Sequence, residues 1–262
     1  MVATSASARW FDSGRAIRRT FDLIGHNWPT FAALSFLWVM IPQEVWAVWL
    51  RLSGHVYPGG MAAFQSVWYW LRTLLVVMTD SGLQAALVVG AMTILRGQRA
   101  SVSDCLVAGL RLLPAVFAIR ISALVAAYLG FLLLIVPGVM IALAWAVVVP
   151  VEVVEQTGVI RAFGRSADLT RGRRRALFAI TAAYYLLAVI FAVVVVMLHR
   201  LANSALMMSA HASWIPWLNT LIAPFENSIL ELFFSVGLAS VYYELRTLKE
   251  GIGPDQLASA FD

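Results

Sequence analysis

The chain alternates between long apolar tracts and short basic connectors. Leu112 to Val151 carries one charge, Arg120, and Ala176 to Leu198 carries none. A bilayer core roughly 30 Å thick needs about 20 apolar helical residues to cross it. The first tract is long enough to cross twice and the second once. Along the whole chain the pattern predicts six spans, at about Pro29–Leu50, Val67–Leu95, Ala115–Val136, Val139–Val154, Ala176–Leu198 and Pro216–Leu245. Only Pro137-Gly138 separates the third from the fourth. Proline presets the second position of a tight turn and glycine accepts the positive φ of the third, so an antiparallel hairpin is expected there.

A second pattern precedes each hairpin. Trp10, Ile17, Phe21 and Ile24 oppose Arg15, Arg18, Arg19 and Asp22. Val102, Leu106 and Leu110 share a face. Ile160, Phe163 and Ala167 oppose Arg161, Arg165 and Asp168. Apolar positions three and four apart make one helical face, and a basic opposite face suits a helix lying among headgroups. The expected fold is therefore an all-α membrane protein of six transmembrane helices, built as three hairpins. Each hairpin follows a cytoplasmic, interfacial amphipathic helix. Met1 to Gly251 reads as one membrane domain, and the remainder to Asp262 as a short polar tail.

Composition agrees, with 61% hydrophobic and 13% charged residues. One cysteine, Cys105, rules out a disulfide framework or cysteine zinc site within one chain. No cleavable signal peptide is read in the first 30 residues, which lack an apolar core with a small-residue cleavage site. The net charge of +5 would suggest nucleic acid in a soluble protein. Here the basic residues gather at span ends, so they are read as topology signals and no nucleic-acid partner is expected. Arg9, Arg15, Arg18, Arg19, Arg96, Arg99, Arg111, the arginines from Arg161 to Arg175, Arg246 and Lys249 fall on one side. Arg51, Arg72 and Arg200 fall on the other. The positive-inside rule puts both termini in the cytoplasm. Trp68, Trp70, Trp214 and Trp217 suit an aromatic belt on the far side.

The stretch Ile135-Val136-Pro137-Gly138, Trp145, Pro150, Glu155, Gly158, Arg165-Ser166 and Leu169-Thr170-Arg171-Gly172 is distinctive. Pro224-Phe225, Tyr242-Tyr243-Glu244-Leu245-Arg246 and Lys249-Glu250-Gly251 complete it. Together these residues resemble the bacterial membrane family named for the membrane domain of glycerophosphoryl diester phosphodiesterase, related to the YciC-like inner-membrane proteins. The resemblance covers roughly Leu132 to Gly251. It implies a bacterial inner-membrane location and supplies no biochemical activity. Family members commonly carry an aromatic after the Thr-Arg-Gly stretch, where this chain has Arg173-Arg174-Arg175. The phosphodiesterase itself is a soluble barrel with a His-Arg-Gly start and a Glu-x-Asp metal site. This chain has His199-Arg200-Leu201 and is too short for that barrel.

Candidate chemistry is sparse. Asp80 and Glu231 both fall roughly 22–24 Å from the basic ends of their spans at 1.5 Å per residue. Gln84 stands one turn from Asp80, and Asn227 and Ser235 flank Glu231 at the same spacing. Charge at that depth costs at least about 2.5–3.5 kcal/mol, so these groups should face inward and find partners. They could form a proton or cation site, or a seat for a lipid headgroup. The preferred expectation is a protonated, hydrogen-bonded pair joining the second and sixth spans. Arg120, read as about 9 Å inside the third span, is expected to snorkel, with a headgroup or carboxylate contact as the alternative. Arg171, Arg173, Arg174 and Arg175 either only set topology or also hold anionic lipid headgroups. Pro224 should kink the sixth span, but no matched break suggests a transporter. His199, Met207-Met208 and His211 are too irregular for a metal site.

No catalytic motif or cofactor is read. The expected role is a non-enzymatic inner-membrane protein. It would serve as an accessory or scaffold subunit of a larger membrane complex, or affect lipid organisation. A small transporter or ion pathway through the intramembrane carboxylates is the alternative.

Overall fold

The computed structural model describes residues 11–55, 64–207 and 215–251. Among them there are helices and no strands, and six helical stretches are long and apolar enough to cross a membrane. This is the all-α membrane fold that the hydrophobic pattern predicts.

The first stretch is α1 (Ser13–Ser35), a π-helical turn (Phe36–Met40) and α2 (Ile41–Leu52). Asp12 caps α1 by accepting from the Arg15 N–H at 3.1 Å. The amphipathic segment is divided from the span by non-helical φ/ψ at Asn27. Pro29 lies two residues on, and its ring removes a backbone donor. The π turn precedes Pro42, a second missing donor. Widened turns of this kind often sit near functional residues, and Gln43 comes next.

α3 (Val67–Leu95) is the central helix, buried almost all round from Thr79 to Met92. Ser81, Gly82, Ala85, Ala86, Gly90 and Ala91 keep it thin, so neighbours approach its backbone. The ring of Trp38 lies over Gly82, where a Cβ would sit 2.2 Å from it. α4 (Val102–Leu133) packs along α3, and α9 (Ile215–Glu250) packs against both α3 and α1. α8 (Arg174–Met207) stands at the periphery against α9 and α5.

Two boundaries differ from the sequence reading. The segment Val102–Leu113 is continuous with the third span in α4, because Pro114 is tolerated inside the helix. A proline within a membrane helix survives where neighbours satisfy the freed carbonyl. The hairpin also turns one step early. Leu134 is extended (φ −164°, ψ 147°), and α5 (Ile135–Ala144) begins immediately. Pro137 therefore lies in the first turn of α5, where a missing N–H costs nothing. Gly138 serves close approach instead. A Cβ there would fall 2.8 Å from the Phe131 backbone nitrogen, and one on Gly130 would fall 2.9 Å from the Gly138 Cα.

The fourth span is broken. α5 stops at Ala144 and α6 (Val148–Glu155) resumes, with the Val148 N–H bonded to the Trp145 carbonyl at 3.1 Å. That leaves the Ala144 carbonyl outside the helical ladder. It accepts from Ser166 Oγ at 3.0 Å and Thr170 Oγ1 at 3.2 Å, both on α7 (Val159–Thr170). Gln156 (φ 46°) and Gly158 (φ 88°) reverse the chain to make that possible. Trp145 meets Phe163 edge-on at 4.6 Å. The third amphipathic segment is thus a separate helix, docked by Ala162, Ser166, Leu169 and Thr170 while Ile160 and Arg161 stay exposed.

Gly138→Val should separate α4 from α5 and lower thermal stability in detergent by several degrees. Gly164→Ala should raise it, since a Cβ at that helical glycine meets nothing within 4 Å and alanine favours a helix interior by about 0.8–1 kcal/mol. Differential scanning fluorimetry of the two variants checks the pair.

Candidate functional site

The intramembrane polar residues converge. Arg120 of α4 donates from Nη1 to Glu231 Oε1 at 3.2 Å and from Nη2 to Oε2 at 3.4 Å. Ser235 Oγ donates to Glu231 Oε1 at 3.1 Å. One turn away on α9, Asn227 Nδ2 donates to Asp80 Oδ1 at 2.9 Å. Asp80 lies within electrostatic reach of both Glu231 and Arg120. Nearby on α2, buried Gln43 donates to Thr79 Oγ1 at 3.1 Å. Successive bonds therefore tie α2 to α3, α3 to α9 and α9 to α4. Gln84 is buried a turn from Asp80, and its side-chain carbonyl oxygen has no hydrogen-bond partner among the described residues.

Arg120 takes the carboxylate contact, the alternative to the preferred expectation of snorkelling. Because α4 begins at Val102, Arg120 lies roughly 27 Å along the helix. It pairs with Glu231 instead of snorkelling. The expected bond between Asp80 and Glu231 is replaced by two separate bonds, Asp80 to Asn227 and Glu231 to Arg120. A fork-on-carboxylate pair is the strongest arrangement available to an arginine. Burial of such a pair is a cost unless its geometry is good and its remaining lone pairs are filled, and here Ser235 adds a third donor.

A second network sits at the arginine-rich end. Arg165 of α7 grips Glu155 from Nε at 2.9 Å and from Nη2 at 3.2 Å, and it also bonds Glu250. Arg246 Nε donates to Glu250 at 3.0 Å and Arg246 Nη1 to the Tyr242 hydroxyl at 3.2 Å. Tyr242 donates in turn to Glu155 at 2.9 Å. Burial works against the Arg165 charge, but hydrogen bonds to Glu155 and Glu250 outweigh it and hold the guanidinium above its ordinary range. Glu244 accepts from Arg15 at 3.1 Å and Arg19 at 3.2 Å, and Arg19 lies over the Tyr243 ring. α1, α6, α7 and α9 are clamped together here. Residues legible in the sequence only as a motif, Glu155, Arg165, Tyr242, Arg246 and Glu250, prove to be one another's partners, while Glu244 of the same motif pairs with α1.

The four candidate headgroup arginines are placed differently. Arg171 and Arg175 are exposed and Arg173 and Arg174 half-buried, and none makes an ion pair among the described residues. Nε of Arg174 is buried without a hydrogen-bond partner among them. At the opposite end Trp46, Trp49, Trp68 and His55 stack, with the His55 and Trp68 rings 4.5 Å apart. Trp214, the Trp217 side chain, Met208, His211 and the polar tail lie outside the described residues. No group of three or more potential metal ligands occurs among the described residues.

Cavities open from the bundle among the described residues. A groove of about 390 Å³ lies between α1, α8 and α9, and a second of about 400 Å³ between α3, α4 and α6 includes Arg96, Asp104 and Arg111. Neither has Asp80, Arg120 or Glu231 in its walls. No family model, curated protein or solved structure matches the chain.

Sequence reasoning missed Gln43, whose signal was a polar residue beside Pro42 deep in the first span. It also missed Glu152, buried in α6 with one carboxylate oxygen unpartnered among the described residues.

Glu231→Gln strands the Arg120 charge and should cost about 3–5 kcal/mol. Adding Arg120→Gln should recover part of that loss. Asp80→Asn, which retains an acceptor for Asn227, should cost about 1 kcal/mol. Unfolding in mixed micelles, analysed as a double-mutant cycle, measures the coupling.

Proposed function

We propose that this chain is a non-enzymatic membrane protein that gathers anionic lipid around a rigid helical platform and serves a larger membrane assembly as an accessory component. One observation carries the reading. Polar groups deep in the bundle are bonded to one another, while none of the most apolar 18-residue window of α8 is buried. The bundle turns its polarity inward and offers a bare apolar helix headed by arginines. Basic residues at the cytoplasmic end of a membrane helix each attract anionic lipid by about 1 kcal/mol. With the resemblance to bacterial inner-membrane proteins, this favours a cytoplasmic position for both termini and for the arginine-rich end.

Native mass spectrometry of the protein released gently from its own membrane tests the proposal. A stoichiometric protein partner establishes an accessory subunit. A lone chain with a selected anionic lipid establishes lipid organisation. A lone chain with neither overturns the reading. Arg173→Gln with Arg175→Gln should weaken retention of phosphatidylglycerol or cardiolipin by about 2 kcal/mol, roughly 30-fold, without inverting topology.

A second reading rests on the charge count at the centre, where one arginine faces two carboxylates. Such an imbalance could serve a proton or cation path. Proteoliposomes carrying an internal pH dye decide it: flux abolished by Asp80→Asn supports a path, and no flux above empty vesicles removes it.

A further inference from the structure

The cavity between α3, α4 and α6 shares no wall residue with the two polar networks, yet its walls carry charge of both signs. On α3 the wall runs from Val89 to Arg96 and on α4 from Asp104 to Arg111, each with the three-and-four spacing of one helical face. Either strip is roughly 10.5 Å long at 1.5 Å per residue. The end of α6 closes the third side with Val153, Val154 and Gln156. Gln156 is held there at φ 46°, the only positive φ outside glycine among the described residues. A glycine would fit that backbone better but would take an amide out of the wall.

Arg96 and Arg111 converge on this space. α4 packs back along α3 after the connector 96–101. Each Cα–Cβ bond tilts toward the N-terminus of its own helix. Arg96 therefore leans inward from the connector end, and Arg111 leans outward from about two turns deeper. Asp104 stands on the same face of α4 as Arg111, close to the connector. Neither Asp104 nor Arg111 makes an ion pair among the described residues. Burial holds the Arg96 guanidinium below its ordinary range, opposed by Tyr242 and reinforced by Arg246, so an anion alongside would favour its charge. Val107, in the wall, and Leu110, three residues on, are exposed. Charged walls beside exposed apolar side chains suit an amphipathic ligand with its head inside and its chains outside.

We propose that this cavity seats the headgroup of a zwitterionic phospholipid, phosphatidylethanolamine, with its phosphate between Arg96 and Arg111 and its ammonium at Asp104. The acyl chains would lie outside, along Val107 and Leu110. The forked donors of arginine match phosphate oxygens, and a carboxylate accepts from the N–H groups of an ammonium. Phosphatidylglycerol fills the first place but offers Asp104 no charge, and phosphatidylcholine has no N–H to donate there. The site is distinct from the arginines around the start of α8 and goes beyond the gathering of anionic lipid proposed for them.

The test uses the full chain in nanodiscs of phosphatidylethanolamine, phosphatidylcholine and phosphatidylglycerol in equal parts, followed by native mass spectrometry. The wild type should retain phosphatidylethanolamine enriched over the bulk mixture. Arg96→Gln with Arg111→Gln should lower that retention at least about tenfold. Asp104→Asn should keep a lipid but lose the preference for phosphatidylethanolamine. Arg99→Gln, exposed in the same connector but outside the walls, should change neither. No enrichment in the wild type, intact preference in Asp104→Asn, or equal loss in Arg99→Gln overturns the proposal. A phosphatidylethanolamine with a photoreactive group at the glycerol end of one acyl chain gives a check that needs no variant. Its crosslinks on the wild type should map to residues 104–112 and 153–156, and labelling spread evenly over α4, α5 and α8 overturns the site. A wild type enriched only in phosphatidylglycerol overturns this proposal and leaves the broader reading standing.

Discussion

A single ion pair in the middle of the membrane organises this protein. A lone arginine or glutamate at the depth of Arg120 and Glu231 would be costly in hydrocarbon. Each becomes tolerable only with the other beside it, and the 3.2 Å contact between their side chains links α4 to α9. The neighbouring bond from Asn227 to Asp80 brings α3 to the same helix. α9 is thereby the hub, and the small residues of α3 let it and α4 come close. Apolar packing alone would leave these helices free to slide, because lipid tails are as apolar as leucine. The polar bonds remove that freedom by specifying rotation and depth.

The same logic operates at the arginine-rich end with water near at hand. The break between α5 and α6 exposes the Ala144 carbonyl, and α7 is anchored by the hydroxyls that satisfy it. Arg165 then locks α7 to α6 and α9, while Glu244 locks α1 to α9. A discontinuous helix is often taken as a sign of transport, but here its freed carbonyl is capped by serine and threonine from the same chain. The break converts an interfacial helix into part of the bundle.

Among the described residues α8 donates the Tyr184 hydroxyl to Leu230 and meets the central network at electrostatic range, Tyr184 toward Glu231 and Tyr185 toward Arg120. Its bare surface and the groove beneath it follow from that peripheral attachment. A helix standing at the periphery leaves room along its side. Platform and groove are two consequences of one distribution of polarity, which is concentrated inside the bundle and at one end.

The hydrophobic pattern by itself determined the class of protein and the six spans. Those properties depend on runs of apolar residues against a fixed bilayer thickness, which is local information. The Arg120 partnership was legible only as an alternative, since whether Pro114 ends a helix depends on its neighbours, and which carboxylate meets Arg120 depends on how the helices pack. The pairing of Glu231 with Arg120 instead of Asp80 depended on how α9 rotates against α3 and α4, a choice made by side chains more than 100 residues apart. The motif at the arginine-rich end was visible as a string of residues, yet only folding showed them to be one clamp. Sequence sets which segments are apolar enough to cross a membrane; tertiary packing alone decides which partner each buried polar group finds.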